Sequence, residues 1–500
     1  MKKGICLMLK YDVVVVGAGN AALCAAISAK EQGSSVLVLE KGPFEKRGGN
    51  SFFTDGAIRV AYQDLESITK VIDLDQETIN KINMPVYAAQ DFYDDIMRVS
   101  KNQSKPELIR QLVNQSLPTI EWMKKHGVEF ELNYANQSFE KEGEIHFWGG
   151  LPIKTVDKGI GLMRSLFKRC EELGIDVWYE SAATNIVTEN KTVTAIEVQI
   201  KDGIKTIECE SVVLACGSIE ANKKKRAEAL GEEWNEALVR GTEFNTGDGI
   251  DMAVSIGAQT FGQVNGCHAI GTDANAPRVG DFQKPGDIFK KHSYPYSVMV
   301  NVEGNRFVDE GADFRNYTYA KYGKEILKQP NNIAYQIYDA KVRPILRAEY
   351  NLEEATVVEE PTLEALADQL DINKEQFLQT INDYNAAVQE GEFNPSDKDG
   401  KSTKGITPPK SNWAQTISEG PFYAYPVTCG ITFSFWGLAT TPKGEVLNKS
   451  NEPIEGLYAA GEMIGGIFYE NYPGGSGLMS GSVFGKLAGA AASHRAQKVK

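Results

Sequence analysis

The chain lacks cysteine pairs at metal or redox spacing: Cys6, Cys24, Cys170, Cys209, Cys216, Cys267 and Cys429 are scattered, odd in number and never arranged as Cys-x-x-Cys. That excludes haem attachment, iron–sulfur ligation and a disulfide framework, and it points to reduced thiols in a cytoplasmic protein without a metal site. Histidine is scarce as well, with five in 500 residues. No run is long and apolar enough to span a bilayer. The start Met1-Lys2-Lys3, followed by Ile5 to Leu9, has the outline of a leader, but Lys10 closes the apolar run short of the roughly seven residues a signal peptide needs. Basic residues are outnumbered 53 to 67, for a net charge of −14, which argues against nucleic acid and against insertion into or adhesion to an anionic membrane. Repeats and low-complexity tracts are missing too. What remains is a globular composition, 42% hydrophobic over 500 residues, enough for two or more domains.

The first readable unit is strand, turn, helix, strand: Tyr11 to Val16, then Gly17-Ala-Gly-Asn-Ala-Ala22, an Ala-rich helix to about Gln32, and Ser35 to Glu40. Helical patterns follow at 106–125 and 159–173. Residues 193–200, a turn at Asp202-Gly203, and 206–209 read as a hairpin leading into a separate buried strand, Ser211 to Gly217. From 261 to 424 the style changes to Tyr-, Asn- and Pro-rich sequence with helices near 315–328 and 374–390. The last 75 residues return to the first style, with Gly456 to Glu462, a Gly-rich turn at 474–477 and a small-residue helix to about Gln497. The two ends are therefore expected to pack together.

Gly17-x-Gly19-x-x-Ala22 follows a strand and opens a helix, so main-chain N–H groups of Gly17, Gly19, Asn20, Ala21 and Ala22 and the helix dipole can hold a pyrophosphate that a Cβ would exclude. Glu40, ending the next strand, sits where a carboxylate accepts hydrogen bonds from an adenosine ribose. The bland alternative is a turn that only packs a helix on a sheet. Gly159-x-Gly161 and Gly247-x-Gly249 lack the preceding strand, so no second site for NAD(P)H is read.

Gly48-Gly49-Asn50-Ser51, Val212 to Gly217, Asn245-Thr-Gly-Asp248-Gly and Ala460-Gly461-Glu462 are similar to flavoproteins of the fumarate reductase and succinate dehydrogenase class. Gly19 to Ala26, Cys267-His268-Ala269, Thr407 to Ser411 and Pro421 to Tyr425 resemble, within that class, the tricarballylate dehydrogenases. The resemblance implies an α/β fold: a Rossmann-like FAD-binding domain of glutathione-reductase type, 1–260 and 425–500, with an inserted α+β capping domain, 261–424. It implies FAD held by Lys41, the 48–51 loop, Ala183 beside the adenine, Ala215-Cys216-Gly217, Asp248, Gly461-Glu462 and Gly475-Ser476-Gly477-Leu478. Asp248 reads equally well as a helix cap. No histidine stands in the 48–51 loop, so the FAD is expected to be noncovalent.

The resemblance also implies hydride transfer at a CH–CH or C=C bond next to a carboxylate or carbonyl, with the proton handled by the protein and electrons exchanged with an unidentified partner. In the class an arginine after a Gly-x-Arg-Phe-Val-Asn-Glu-like stretch gives that proton. Arg315 falls one residue beyond the gap-free position, with Asp309, Glu310 and Asp313 as candidate relays. Otherwise Arg315 is an ordinary surface arginine and Tyr317 or Tyr319 is the acid or base. His268 and His292 either hold a substrate oxygen or are structural. Tyr472 replaces the arginine with which fumarate reductases clamp a carboxylate, and Ile431, Thr432, Phe433 and Ser434 stand in the region of their paired histidines. Tyr472-Pro-Gly-Gly instead resembles 3-ketosteroid dehydrogenases, where the tyrosine and a main-chain N–H polarise a ketone. Phe433, Phe435 and Trp436 either line an apolar pocket or pack the core. The substrates implied are a polycarboxylate, an enoate or an enone; a flavin-binding redox sensor without turnover is the remaining reading.

Overall fold

The computed structural model describes residues 9–499; Met1–Lys3, the Ile5–Met8 part of the apolar run and Cys6 lie outside them. Strand Leu9–Val16 is followed by helix Asn20–Glu31 and strand Val36–Leu39. Val13 to Val16 and Val36 to Leu39 are buried without alternation, as parallel strands covered on both faces must be. Gly203–Leu214, Leu9–Val16, Val36–Leu39 and Asp176–Trp178 are parallel neighbours in one sheet, with Pro453–Ala459 beside Gly203–Leu214. The sheet ends in the antiparallel pair Ala182–Glu189 and Thr192–Ile200. The hairpin is present, but its second arm is one twelve-residue strand, Gly203–Leu214, because the exposed stretch 204–206 runs without a break into buried Val212 to Leu214.

The chain ends pack together as expected. Helix Ser476–Val499 crosses helix Asn20–Glu31 so closely that a Cβ on Gly489 would sit 2.1 Å from the main-chain oxygen of Ala25. Asn20 ties the pair, donating to the Leu478 carbonyl at 3.1 Å and the Ser482 hydroxyl at 2.9 Å.

A second sheet is organised on the seventeen-residue strand Phe422–Leu438, which pairs antiparallel with Thr260–Asp273 from Thr260↔Leu438 to Asp273↔Val427. Ala334–Tyr338 and Val358–Glu360 join it antiparallel and Leu238–Val239 parallel. Helix Lys374–Ala387 buries Phe377, Ile381 and Tyr384 against Val298, Val300, Ile337 and Ala424. The helix expected over 315–328 is split into a 3-10 turn, Arg315–Tyr317, and an α-helix, Tyr319–Leu327. Among the described residues no helix is long and apolar enough to cross a membrane.

Candidate functional site

A single continuous cavity runs from the Gly17 turn to residues 268–319 and brings together most of the predicted site residues. Gly17, with φ +103°, makes the first turn; a Cβ there would meet the Ala215 carbonyl oxygen at 2.4 Å. Helix Asn20–Glu31 has no side-chain cap. Ser51 Oγ accepts from the Asn20 N–H at 3.0 Å, and the Ala21 N–H lies next in the open first turn. A helix end whose own N-cap is a glycine, with the N–H groups beyond Asn20 left open, is a ready-made pyrophosphate seat.

Glu40 is buried, takes the Gly42 N–H at 2.6 Å and titrates above the usual carboxylate range because burial disfavours its charge. Lys41 pairs with Asp248 at 2.7 Å and reaches Thr246 Oγ1 at 2.5 Å. Asp248 does not cap: the N-cap is Gly247, and the carboxylate faces Lys41 instead. Ala183, Ala215, Cys216, Gly217, Gly49, Asn50, Gly461, Glu462, Gly475, Gly477 and Leu478 also line the cavity. Three predicted contacts do not. Ala22 is turned into the helix–sheet core, Gly48 lies against Phe52 and Met163, and Ser476 turns its hydroxyl back to the Pro473 carbonyl at 2.6 Å. Glu462 Oε2 is buried and has no hydrogen-bond partner among the described residues. That orphan, the uncapped helix end and the run of small residues fit FAD.

The other end of the cavity is aromatic and cationic. His268 is buried with both ring nitrogens unpartnered among the described residues, its ring 4.8 Å from Tyr472, 5.2 Å from Tyr319 and 5.3 Å from Phe433. Burial, helped by Arg240, holds its pKa well below the ordinary 6.5, so the ring is neutral. His292 is neutral for the same reason, with Arg315 as the adverse charge; its Nδ1 lies 3.5 Å from Arg315 and its Nε2 is unpartnered. The hydroxyls of Tyr319 and Tyr472 share a 2.5 Å hydrogen bond. Burial raises both, but that bond and the charges of Arg315 and Arg240 restrain the rise at Tyr319, whereas its partner stands well above the usual phenol value. Phe433, Phe435 and Phe468 complete the wall, while Trp436 is outside it.

Arg315 is half-buried, contacts Asn316 Oδ1, and makes no salt bridge among the described residues. Burial, then repulsion by Arg347, brings it down to about 10. The relays expected for it are engaged elsewhere: Asp309 with Ser411, Glu310 with Arg306 at 2.5 Å, Asp313 with Arg98 at 3.1 Å. Tyr317 is likewise turned away, its hydroxyl on Asp95 at 2.9 Å, because the 3-10 turn at 315–317 rotates it off the face that carries Tyr319.

Several site residues were not anticipated from sequence. Arg240 lines the cavity, donates to Thr432 Oγ1 at 2.5 Å and pairs with Asp287. Buried Arg59 donates to the Gly474 carbonyl at 2.9 Å and fixes the turn behind Tyr472. Glu220 accepts from Asn50 and Asn245. Each stands outside any short motif, so only the composition of its surroundings, such as the polar run 240–248, hinted at it.

Comparison with known proteins agrees with this geometry. The chain is 28% identical over 510 residues to the NADH:fumarate oxidoreductase of Klebsiella pneumoniae, covering 97% of this chain but 48% of that protein. It superposes on an open-conformation flavocytochrome c3 fumarate reductase with a TM-score of 0.73 at 26% identity, over 98% of this chain and 79% of the other. On the 3-ketosteroid delta1-dehydrogenase of Sterolibacterium denitrificans the TM-score is 0.74 at 20% identity, over 98% and 100%, a likeness of fold. Residues 12–478 match the family of the FAD binding domain, and the chain belongs to that family of flavoproteins.

Proposed function

We propose that the protein is an FAD-dependent oxidoreductase that adds or removes hydrogen across a carbon–carbon bond next to a carboxylate or carbonyl. The observation that carries this reading is Arg315: a half-buried cation lining the cavity that fits FAD, without a counter-ion among the described residues and set beside two neutral histidines and a tyrosine pair. Such a cation is a seat for a substrate anion. Bound FAD supplies the hydride chemistry.

Arg315 is the anchor and Tyr319 the acid/base. With no carboxylate in contact, Arg315 has no means of recovering a proton, whereas Tyr319 is hydrogen-bonded to Tyr472 and flanked by Arg315 and Arg240, which stabilise its phenolate. In reduction Tyr319 gives its proton to the carbon beside the one that takes hydride; in dehydrogenation it takes that proton back. His268 and His292, being neutral, donate a hydrogen bond to the substrate's carbonyl or carboxylate oxygen as charge builds there. The 261–424 insertion closes over the two FAD-binding parts, 1–260 and 425–500, and excludes water. A tricarboxylate such as tricarballylate, oxidised toward cis-aconitate, belongs to this class. The six unpaired cysteines among the described residues support a cytoplasmic setting. The electron partner is a separate molecule.

A second reading, an enone or ketosteroid substrate, is favoured by the aromatic wall of Phe433, Phe435 and Phe468 and by Tyr472 beside Gly477. Anaerobically reduced holoprotein is mixed with fumarate, cis-aconitate, cinnamate or a neutral enone, and recovery of flavin absorbance is followed. The first reading expects recovery with at least one acid, with Arg315→Gln weakening that acid about 10- to 150-fold, the loss of a charged hydrogen bond of about 1.5–3 kcal/mol, and sparing neutral ligands. Recovery with the enone alone selects the second. No recovery with any of them sinks both.

A further inference from the structure

We propose that Glu220 and Glu462 share a single proton and that Glu462 meets FAD as a neutral carboxylic acid. The two carboxyls lie side by side between the loop at Asn50, the loop at Asn245 and the turn at Gly461: one Asn50 amide nitrogen reaches both, Glu220 is fully buried, and Glu462 is half-buried with its Oε2 out of reach of solvent. Like charges in such a position cannot both be ionised.

The donors decide which carboxyl keeps the proton. The Asn50 amide is oriented by the Thr242 N–H, which donates to its oxygen at 3.0 Å, so the NH2 faces the acids. Its two protons are spent on Glu220 Oε1 at 2.8 Å and the Thr432 carbonyl at 2.8 Å, which leaves Glu462 Oε1 a stretched third contact at 3.4 Å. Glu220 Oε1 gains a second donor, Asn245 Nδ2, at 2.6 Å. Each acid keeps one oxygen, Glu220 Oε2 and Glu462 Oε2, without a partner among the described residues, so the two short bonds to Glu220 Oε1 make the difference. The negative charge therefore rests on Glu220 and the proton on Glu462, the member that lines the cavity. Burial, reinforced by repulsion from Glu220, pushes Glu462 far up the scale.

Charge from the surrounding elements favours the same assignment, since the Arg226 guanidinium acts on Glu220. Arg226, on helix Lys223–Leu230, gives its donors to the main-chain oxygens of Glu220 and Asn235. The Cys267 thiol, facing from strand Thr260–Asp273, is pushed up by burial and stays neutral. Ser218, from the end of the first sheet, pairs with Ser434 through their hydroxyls.

FAD seated against Glu462 strengthens its hold on the proton, so FAD binding takes up a proton at the pH where the free site has begun to lose it. As pH rises and the proton leaves, a second buried negative charge appears and affinity falls. Serial dilution of the holoprotein from about pH 6 to 9, read by the fluorescence of released FAD, measures this. Wild type is expected to lose affinity with rising pH, by up to about tenfold per unit for one linked proton. Glu462→Gln, a neutral isostere, is expected to keep FAD and flatten the profile; Glu220→Gln, which removes the repulsion, shifts it to lower pH. A flat wild-type profile, or a Glu462→Gln profile parallel to wild type, overturns the proposal. Should Glu462→Gln not fold, infrared difference spectra of wild-type holoprotein decide: a protonated-carboxyl band that shifts in D2O and vanishes at alkaline pH is expected, and its absence refutes the shared proton.

Discussion

Along the FAD-facing length of the cavity the contacts are main-chain N–H groups, alanine and glycine surfaces, and charges already paired, Lys41 with Asp248 and Lys46 with Glu243. At the end closed by residues 268–319 the wall instead buries His268 and His292 with few or no partners beside half-buried Arg315, around one short tyrosine–tyrosine hydrogen bond. The first arrangement depends on backbone shape, which tolerates no added atom and little chemistry. The second depends on desolvated side chains that pay for their burial only when a ligand completes them. Binding of cofactor and handling of substrate should therefore fail separately and to different degrees.

The largest effect belongs to the backbone. Gly17→Ala places a Cβ 2.4 Å from the Ala215 carbonyl oxygen on a residue at φ +103°, so the turn itself must move. The variant is expected to purify without bound flavin while retaining its circular dichroism. Full retention of FAD would break the comparison, since it would mean the cofactor is held from the other end.

Tyr319→Phe tests the chemical end. It removes one hydroxyl from the pair and leaves the ring contacts with His268 and His292 in place. Flavin content should be unchanged, and kcat should fall by about 10²- to 10⁴-fold, the usual worth of a positioned acid/base. A KM effect without loss of kcat would reassign Tyr319 to binding, and Arg315 would again be the candidate acid.

The same contrast governed what could be read in advance. The FAD side was legible because strand, glycine turn, helix and acid at Val16, Gly17-x-Gly19, Asn20 and Glu40 are consecutive in sequence, and local geometry alone fixes their use. Tyr472 and Tyr319 were singled out from separate motifs, and the fold brought them to one hydrogen bond. The relay at Asp309, Glu310 and Asp313 failed because acids near in sequence to Arg315 were drawn off by Arg306, Arg98 and Ser411, partners decided by packing. Arg240 and Glu220 were invisible because their meaning lies in Asp287, Thr432 and Asn50, each distant along the chain.

The smallest expected effect concerns the histidines. His268 has a folded pKa well below the 6.5 of the free group, with burial the main cause. The unfolded chain therefore binds a proton near pH 6.5 that the folded chain refuses, so His268 costs no stability above that pH and destabilises the fold progressively as pH falls below it. Its maximal contribution is about 1.4 kcal/mol per pH unit. His268→Phe suits the surrounding rings of Tyr319, Phe433 and Tyr472 and removes the titration. Melting temperatures of the holoprotein between about pH 6.5 and 5 should then fall less steeply in the variant than in wild type, while above pH 7 the two differ by a constant amount. Parallel slopes across the acid range would mean that His268 reaches water or an acidic partner, and the aromatic end would lose its claim to be a dry, incomplete pocket.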